Sequence, residues 1–355
     1  MDNRKASKFM LFLVSYYVAF VVVVMPLVIT VAGVDQYGLN MLAASPWFLM
    51  LSQVFGLLMP LVIWTLLKGE SLVNHIPRSK MGGRNMLLVI VISFLIQPTM
   101  MAVSGLTTML FPNQVAEFVG DMGLQHSFWL MLLGIAVTPA IVEELVFRGY
   151  IQTATKHFPL KKAALINGLF FAIIHFNMQQ FFYAFVMGIV FMVLVHYTGS
   201  ILAGIVSHFI INGSQVTMLQ IVLWGQSLLT EYELAQAAYL DADSLLAAAL
   251  MIGAMVLVTL PITIILFRHF IQHNVDRMQA LEAEKITIVP EATTDMVVMG
   301  IFNNTAQTED SQSEDAPDPE NILPAEGDRP QSKFDPYALA VVGVFVVMML
   351  FFALL

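Results

Sequence analysis

The run Phe128 to Thr155, FWLMLLGIAVTPAIVEELVFRGYIQTAT, decides the fold. It is apolar for long enough to cross a bilayer, yet Glu143, Glu144 and Arg148 stand in its second half. A charged side chain at the centre of a membrane helix costs roughly 2.5 to 3.5 kcal/mol on insertion scales, so such residues persist mainly where they face a polar interior. The run therefore reads as a membrane helix that carries part of a buried polar site.

The rest of the chain agrees with a membrane setting. Of 355 residues, 58% are hydrophobic and only 12% are charged, far from the composition of soluble domains. Nine stretches approach the length needed to cross a hydrocarbon core about 30 Å thick, at 9–34, 46–67, 86–110, 128–155, 162–177, 179–198, 200–224, 244–267 and 337–355. The expected fold is all-α and polytopic. The fifth and sixth stretches are short, which requires a tight turn at Phe176 to Gln180. Arg4, Lys5 and Lys8 precede the first stretch as in a signal peptide, but its apolar part is longer than the roughly 7 to 15 residues of a cleavable one.

Basic residues set the orientation. With the N-terminus in the cytoplasm, every Lys and Arg except Arg148 falls inside, while Asp35, Glu117, Asp121, Glu231, Glu233, Asp241 and Asp243 fall in opposite loops without basic residues. This bias predicts an internal N-terminus and, with nine spans, an external C-terminus. The net charge of −9 comes mostly from 303–335, a segment rich in Asp, Glu, Pro and Gln that reads as a disordered cytoplasmic linker and not as a nucleic-acid-binding surface. A polar helix is expected near 270–285. The resulting organisation is 1–127 with helices 1 to 3, 128–224 with a core of helices 4 to 7, 225–267 with helix 8, a 268–336 linker, and a 337–355 terminal helix on which that core does not depend. Without cysteine, disulfides and thiolate chemistry are excluded.

Within the fourth stretch, Thr138-Pro139 has the form of a helix restart, with Thr138 as the cap. Neighbouring residues on a helix point about 100° apart, so Glu143 and Glu144 cannot serve one point. Arg148 is four residues beyond Glu144, the spacing of a favoured ion pair, which leaves Glu143 chemically free. His175 on the next stretch reaches the depth of Glu143, and His208 and Asn212 share a face of the seventh stretch at a similar level. Each of these residues alone could be packing glue between helices. Together they suit water activation, in which the carboxylate takes a proton, the imidazoles bind a metal or orient the water, and Asn212 donates to an oxyanion. Zinc or another divalent metal would take Glu143, His175 and His208, but Glu143 cannot comfortably be both ligand and base, and the metal-free version is favoured. Other intramembrane chemistries lack their residues: there is no His-Glu-x-x-His, no Asp within a span, and no Gly-x-Ser-Gly.

The sequence Glu143-Glu144-x-x-x-Arg148 with Phe147-Arg148-Gly149, then Phe171-x-x-x-His175, then His208-x-x-x-Asn212, resembles the three motifs of the CPBP family, which includes CAAX-type prenyl endopeptidases and bacterial Abi proteins. The resemblance covers about 128–220. It implies an intramembrane endopeptidase, described for the family as a metalloprotease, in a bacterial cell membrane. In it Glu143 and His175 activate water, His208 and Asn212 stabilise the oxyanion or help hold a metal, and Glu144 and Arg148 support the site. The implied partners are membrane lipids and a membrane-associated protein or peptide substrate. A bacteriocin-immunity or scaffold protein is the alternative reading, and a proton-coupled transporter a further one, although no internal repeat of the transporter kind is present.

Overall fold

The computed structural model describes residues 4–35, 38, 45–230, 242–287 and 335–354, so nearly all of the acidic segment lies outside the described residues. Apart from one isolated bridge between Arg78 and Ser200, the described residues form helices and their connections. In chain order the helices are α1 Lys5–Ala32, α2 Pro46–Leu67, α3 Gly83–Thr108, α4 Gln114–Gln125, α5 Phe128–Thr155, α6 Leu160–Ile173, α7 Met178–Thr198, α8 Ile201–Ser227, α9 Ala242–Thr287 and α10 Pro336–Leu354. The chain is a multi-pass membrane protein. Among the described residues, seven helices are long and apolar enough to cross: α1, α2, α3, α5, α7, α8 and the Asp243–Arg277 part of α9. The expected count of nine is not reached on this measure. With 14 residues, α6 is about 21 Å long, and the apolar stretch Pro336–Met348 of α10 is also short.

Two compact units divide the chain, Met1–Ile271 with Pro336–Leu355, and Gln272–Asp335. The second holds the end of α9 and the residues 288–334, which are not described. The expected eighth span and the polar helix near 270–285 form one continuous helix of 46 residues, so the boundary expected at 267 falls inside α9.

A proline pattern shapes three helices. Pro26, Pro60 and Pro139 each lie just after a five-residue wide turn of π-helix, at Phe20–Val24, Val54–Leu58 and Leu133–Val137. Proline has no N–H for the carbonyl four residues back and its ring crowds that carbonyl; a wide turn makes room without ending the helix. Thr138 therefore does not act as a cap: it has helical dihedrals and its side chain makes no capping bond. Helix α5 runs through the Thr-Pro pair, because the wide turn absorbs what the sequence reads as a break.

Packing follows membrane rules, in which close approach of small residues replaces the hydrophobic drive between helices. A Cβ on Gly188 of α7 would lie 2.7 Å from Gly168 Cα of α6, and one on Gly168 would lie 2.8 Å from Phe185 O. The α6–α7 hairpin turns at Phe176, a non-glycine residue with φ 46°, and Asn177 caps α7 by accepting from Gln180 N at 3.1 Å. This is the tight turn that the short stretches require. The core joins Phe9, Met10 and Leu13 of α1 to Leu61 of α2, Val146, Phe147 and Tyr150 of α5, and Phe171 and Phe191 of the hairpin. It also includes Val341, Phe345 and Met348 of α10. The terminal helix thus packs into the core.

Two connections anchor the elements that hold the site. Ser79 N donates to Gly199 O and Ile201 N to Pro77 O, each at 2.9 Å, which ties the start of α8 to the α2–α3 loop. Gly199 has φ 65°, and a Cβ there would meet Ser79 Oγ at 2.7 Å, so both the dihedral and the space call for glycine. At the other connection, Lys5 Nζ contacts Glu70 Oε1 at 2.7 Å and His75 Nε2 contacts Glu70 Oε2 at 3.0 Å. Burial pushes the Glu70 carboxyl upward, but Lys5 and His75 outweigh it and hold it below its ordinary value; burial, then Lys5, lower His75.

Candidate active site

Helices α2 and α5 lie side by side at three levels. Pro46 meets Gly134, where a Cβ would lie 3.0 Å from Pro46 Cβ; Gln53 meets Glu143; and Trp64 Nε1 donates to Tyr150 Oη at 2.6 Å. The acids follow the first wide turn of α5, and a second wide turn, Leu145–Ile151, begins immediately after them.

The two adjacent glutamates have different surroundings. Glu144 is fully buried. Its Oε1 lies 3.1 Å from His208 Nδ1, and its Oε2 lies 3.2 Å from Arg148 Nε, at ion-pair distance but without hydrogen-bond alignment. Gly204, one turn before His208, makes room for it: a Cβ there would collide with the Glu144 carboxylate. The Arg148 guanidinium also donates to Gly188 O at 3.3 Å and lies over the Phe171 and Phe191 rings at 4.5 and 5.0 Å. Such a planar, desolvated cation between aromatic faces is a strong cation–π arrangement.

Glu143 has one oxygen held and one not. Gln53 Nε2 donates to Oε1 at 2.9 Å, and Oε2 has no hydrogen-bond partner among the protein atoms although it is buried. His175 Nδ1 is 2.7 Å from the Phe171 carbonyl. A carbonyl only accepts, so this nitrogen carries a proton and Nε2 of the neutral ring is an acceptor. Glu143, His208 and Arg148 are all within electrostatic reach of His175, and Tyr183 of α7 is within reach of Glu143. Phe171 ties these groups together, with ring contacts to His175 at 5.2 Å and to His208 at 5.9 Å. Asn212 Nδ2 donates to Ile135 O at 3.0 Å. Ile135 is four residues before Pro139, so this is the carbonyl that the proline cannot supply with an N–H. Asn212 thus has a structural bond, and one amide hydrogen remains for other use.

The structure brings Glu144, Arg148 and His208 into direct contact, sets Glu143 and His175 in one electrostatic neighbourhood, and places Asn212 one turn beyond His208. Gln53, Gly204, Phe191 and Tyr183 join this set without a motif to announce them. Among the described residues no three His, Asp or Glu side chains are grouped to hold an ion, and in each histidine the engaged ring nitrogen is Nδ1.

No curated protein and no solved structure matches the sequence. The family model described as Type II CAAX prenyl endopeptidase Rce1-like matches residues 125–214, a stretch that contains Glu143, Glu144, Arg148, His175, His208 and Asn212, so this segment of the chain is similar to the CAAX-type intramembrane proteases.

Proposed function

We propose that the protein is an intramembrane endopeptidase that hydrolyses a peptide bond in a membrane-associated protein or peptide, with Glu143 as the general base. The observation that carries this reading is the asymmetry of the two acids: both oxygens of Glu144 are engaged by cations or potential cations, whereas Glu143 Oε2 has no protein partner. In the proposed reaction, water is held on Glu143 Oε2, beside His175. Glu143 takes a proton as the water oxygen attacks the scissile carbonyl, and then passes it to the departing amide nitrogen. Asn212 has one amide hydrogen left for the developing oxyanion. His208 adds a second donor through Nε2 when it is the imidazolium. Arg148 and Glu144 hold His208 in place. No step passes through a metal.

The test uses the purified full chain in phosphatidylcholine vesicles with internally quenched peptides, with and without a prenylated cysteine. Glu143→Gln should abolish cleavage while the protein accumulates normally, since the amide matches the acid in size. Cleavage by Glu143→Gln at the wild-type rate would end the peptidase reading. Activity should survive chelation; stoichiometric zinc that is lost with His208→Ala, together with rescue of stripped enzyme by zinc, would replace the metal-free version. We place the N-terminus in the cytoplasm on the distribution of Lys and Arg, which protease protection of a tag at Met1 would check.

A further inference from the structure

We infer that Gln53 is a positioning residue of this site: it fixes the Glu143 carboxylate and shares with it the hold on the attacking water. The inference rests on the peptidase reading. Gln53 lies outside the matched segment, on a separate helix, and its carboxamide is within 2.9 Å of the proposed base. From the Pro46–Gly134 contact it is about 10 Å along α2 and Glu143 about 13 Å along α5, so two helices packed at one glycine deliver the pair to one level.

The chemistry of the pair is one-sided. The amide donates to Glu143 Oε1, which leaves Gln53 Oε1 and Glu143 Oε2 as two buried acceptors without a protein donor, flanking one hydrogen bond. A buried acceptor left unmet costs free energy. One water molecule has two hydrogens, enough for both oxygens, and a water held this way is presented to the substrate with its lone pairs outward. An uncharged donor also suits the place. Lysine or arginine at position 53 would hold the carboxylate as its counter-ion and blunt it as a base, and an apolar residue would leave its rotamer free. His175, Tyr183 and Arg148 are within electrostatic reach of Glu143, His208 is within reach of His175, and Glu144 contacts Arg148.

The experiment compares wild type, Glu143→Gln, Gln53→Leu and Gln53→Glu in the vesicle assay, measuring kcat and KM across pH. Gln53→Leu should lower kcat about ten-fold or more with KM within about two-fold, because base alignment and not substrate binding is lost. Gln53→Glu is nearly isosteric and serves if the leucine variant fails to fold. Its new carboxyl donates only when protonated, so activity should be retained on the acid side and fall as pH rises, a limb that wild type lacks. An unchanged kcat in both variants, or a rise in KM alone, overturns the positioning role while leaving the peptidase reading intact. No cleavage by wild type overturns both.

Discussion

Replacing Gly204 by alanine adds one methyl group to α8, a change that in an ordinary helix interior favours folding by about 0.8–1 kcal/mol. At this position the structure predicts the opposite sign. The added Cβ would run into Glu144 Oε2, with Glu144 Cδ and Val195 Cγ2 each at 3.1 Å. Glu144 is fully buried and contacts Arg148 and His208, so it cannot step aside without leaving buried charges apart. Overpacking costs about 1–3 kcal/mol, and loss of a partner from a buried ion pair about 3–5 kcal/mol. Even with partial relaxation, the net effect should be a destabilisation of about 2 kcal/mol or more. Gly213, on the same helix, is the internal control: a Cβ there finds its nearest neighbour at 3.5 Å, ordinary contact, and the substitution should be neutral or mildly stabilising. Unfolding of both purified variants in detergent, followed by helical circular dichroism, gives the comparison. Equal stability of Gly204→Ala and Gly213→Ala would refute the reasoning and the close packing of α8 on Glu144.

Three further outcomes follow. Arg148→Lys keeps the charge but loses the planar contacts with Phe171 and Phe191 and the bond to Gly188 O, so it should unfold about 1–2 kcal/mol more easily than wild type, and Arg148→Leu by about 3–5 kcal/mol, in the same detergent assay. Because both His75 and Glu70 are held below their ordinary values of 6.5 and 4.5, their contribution to stability is complete above pH 6.5 and is lost as pH falls, first through His75 and then through Glu70. Melting curves of His75→Phe and Glu70→Gln should show a shallower acid slope than wild type, and parallel slopes would refute the assignment. Phe345→Ala should cost about 1–3 kcal/mol, less than in a soluble core because lipid replaces water as the alternative environment, and wild-type stability would show that α10 is not part of the core.

The parts legible in the sequence were those with a local geometric rule. The Glu144–Arg148 contact follows from a four-residue spacing, and the hairpin turn near Phe176 follows from two apolar stretches too short to be joined otherwise. The Glu144–His208 contact was not legible, because depth along a helix does not say which face of it meets which neighbour. Gln53 was invisible for a simpler reason: a single glutamine in an apolar stretch matches interhelical glue as well as it matches a site, and only the pairing of α2 with α5 separates the two. Thr138-Pro139 misled because a cap followed by proline looks the same whether the helix starts there or widens to pass through. Tertiary packing also decided α10, whose uniformly apolar sequence carries no sign of which side faces protein.

The shortness of α6 has a consequence for the lipid. At about 21 Å it falls about 9 Å below the hydrocarbon thickness, while α7, its hairpin partner, is long enough to cross. Hydrophobic mismatch of this sign is met by local thinning of the bilayer, by flanking side chains that reach the interface or by association with other helices, at a cost of fractions of a kcal/mol per Å. Where thinning is the response, the headgroup boundary is drawn inward beside the end of α6, next to the turn that holds His175. For a site that consumes water, as proposed, the shape of the surrounding membrane then becomes part of the supply of its second reactant, with no channel through the protein required.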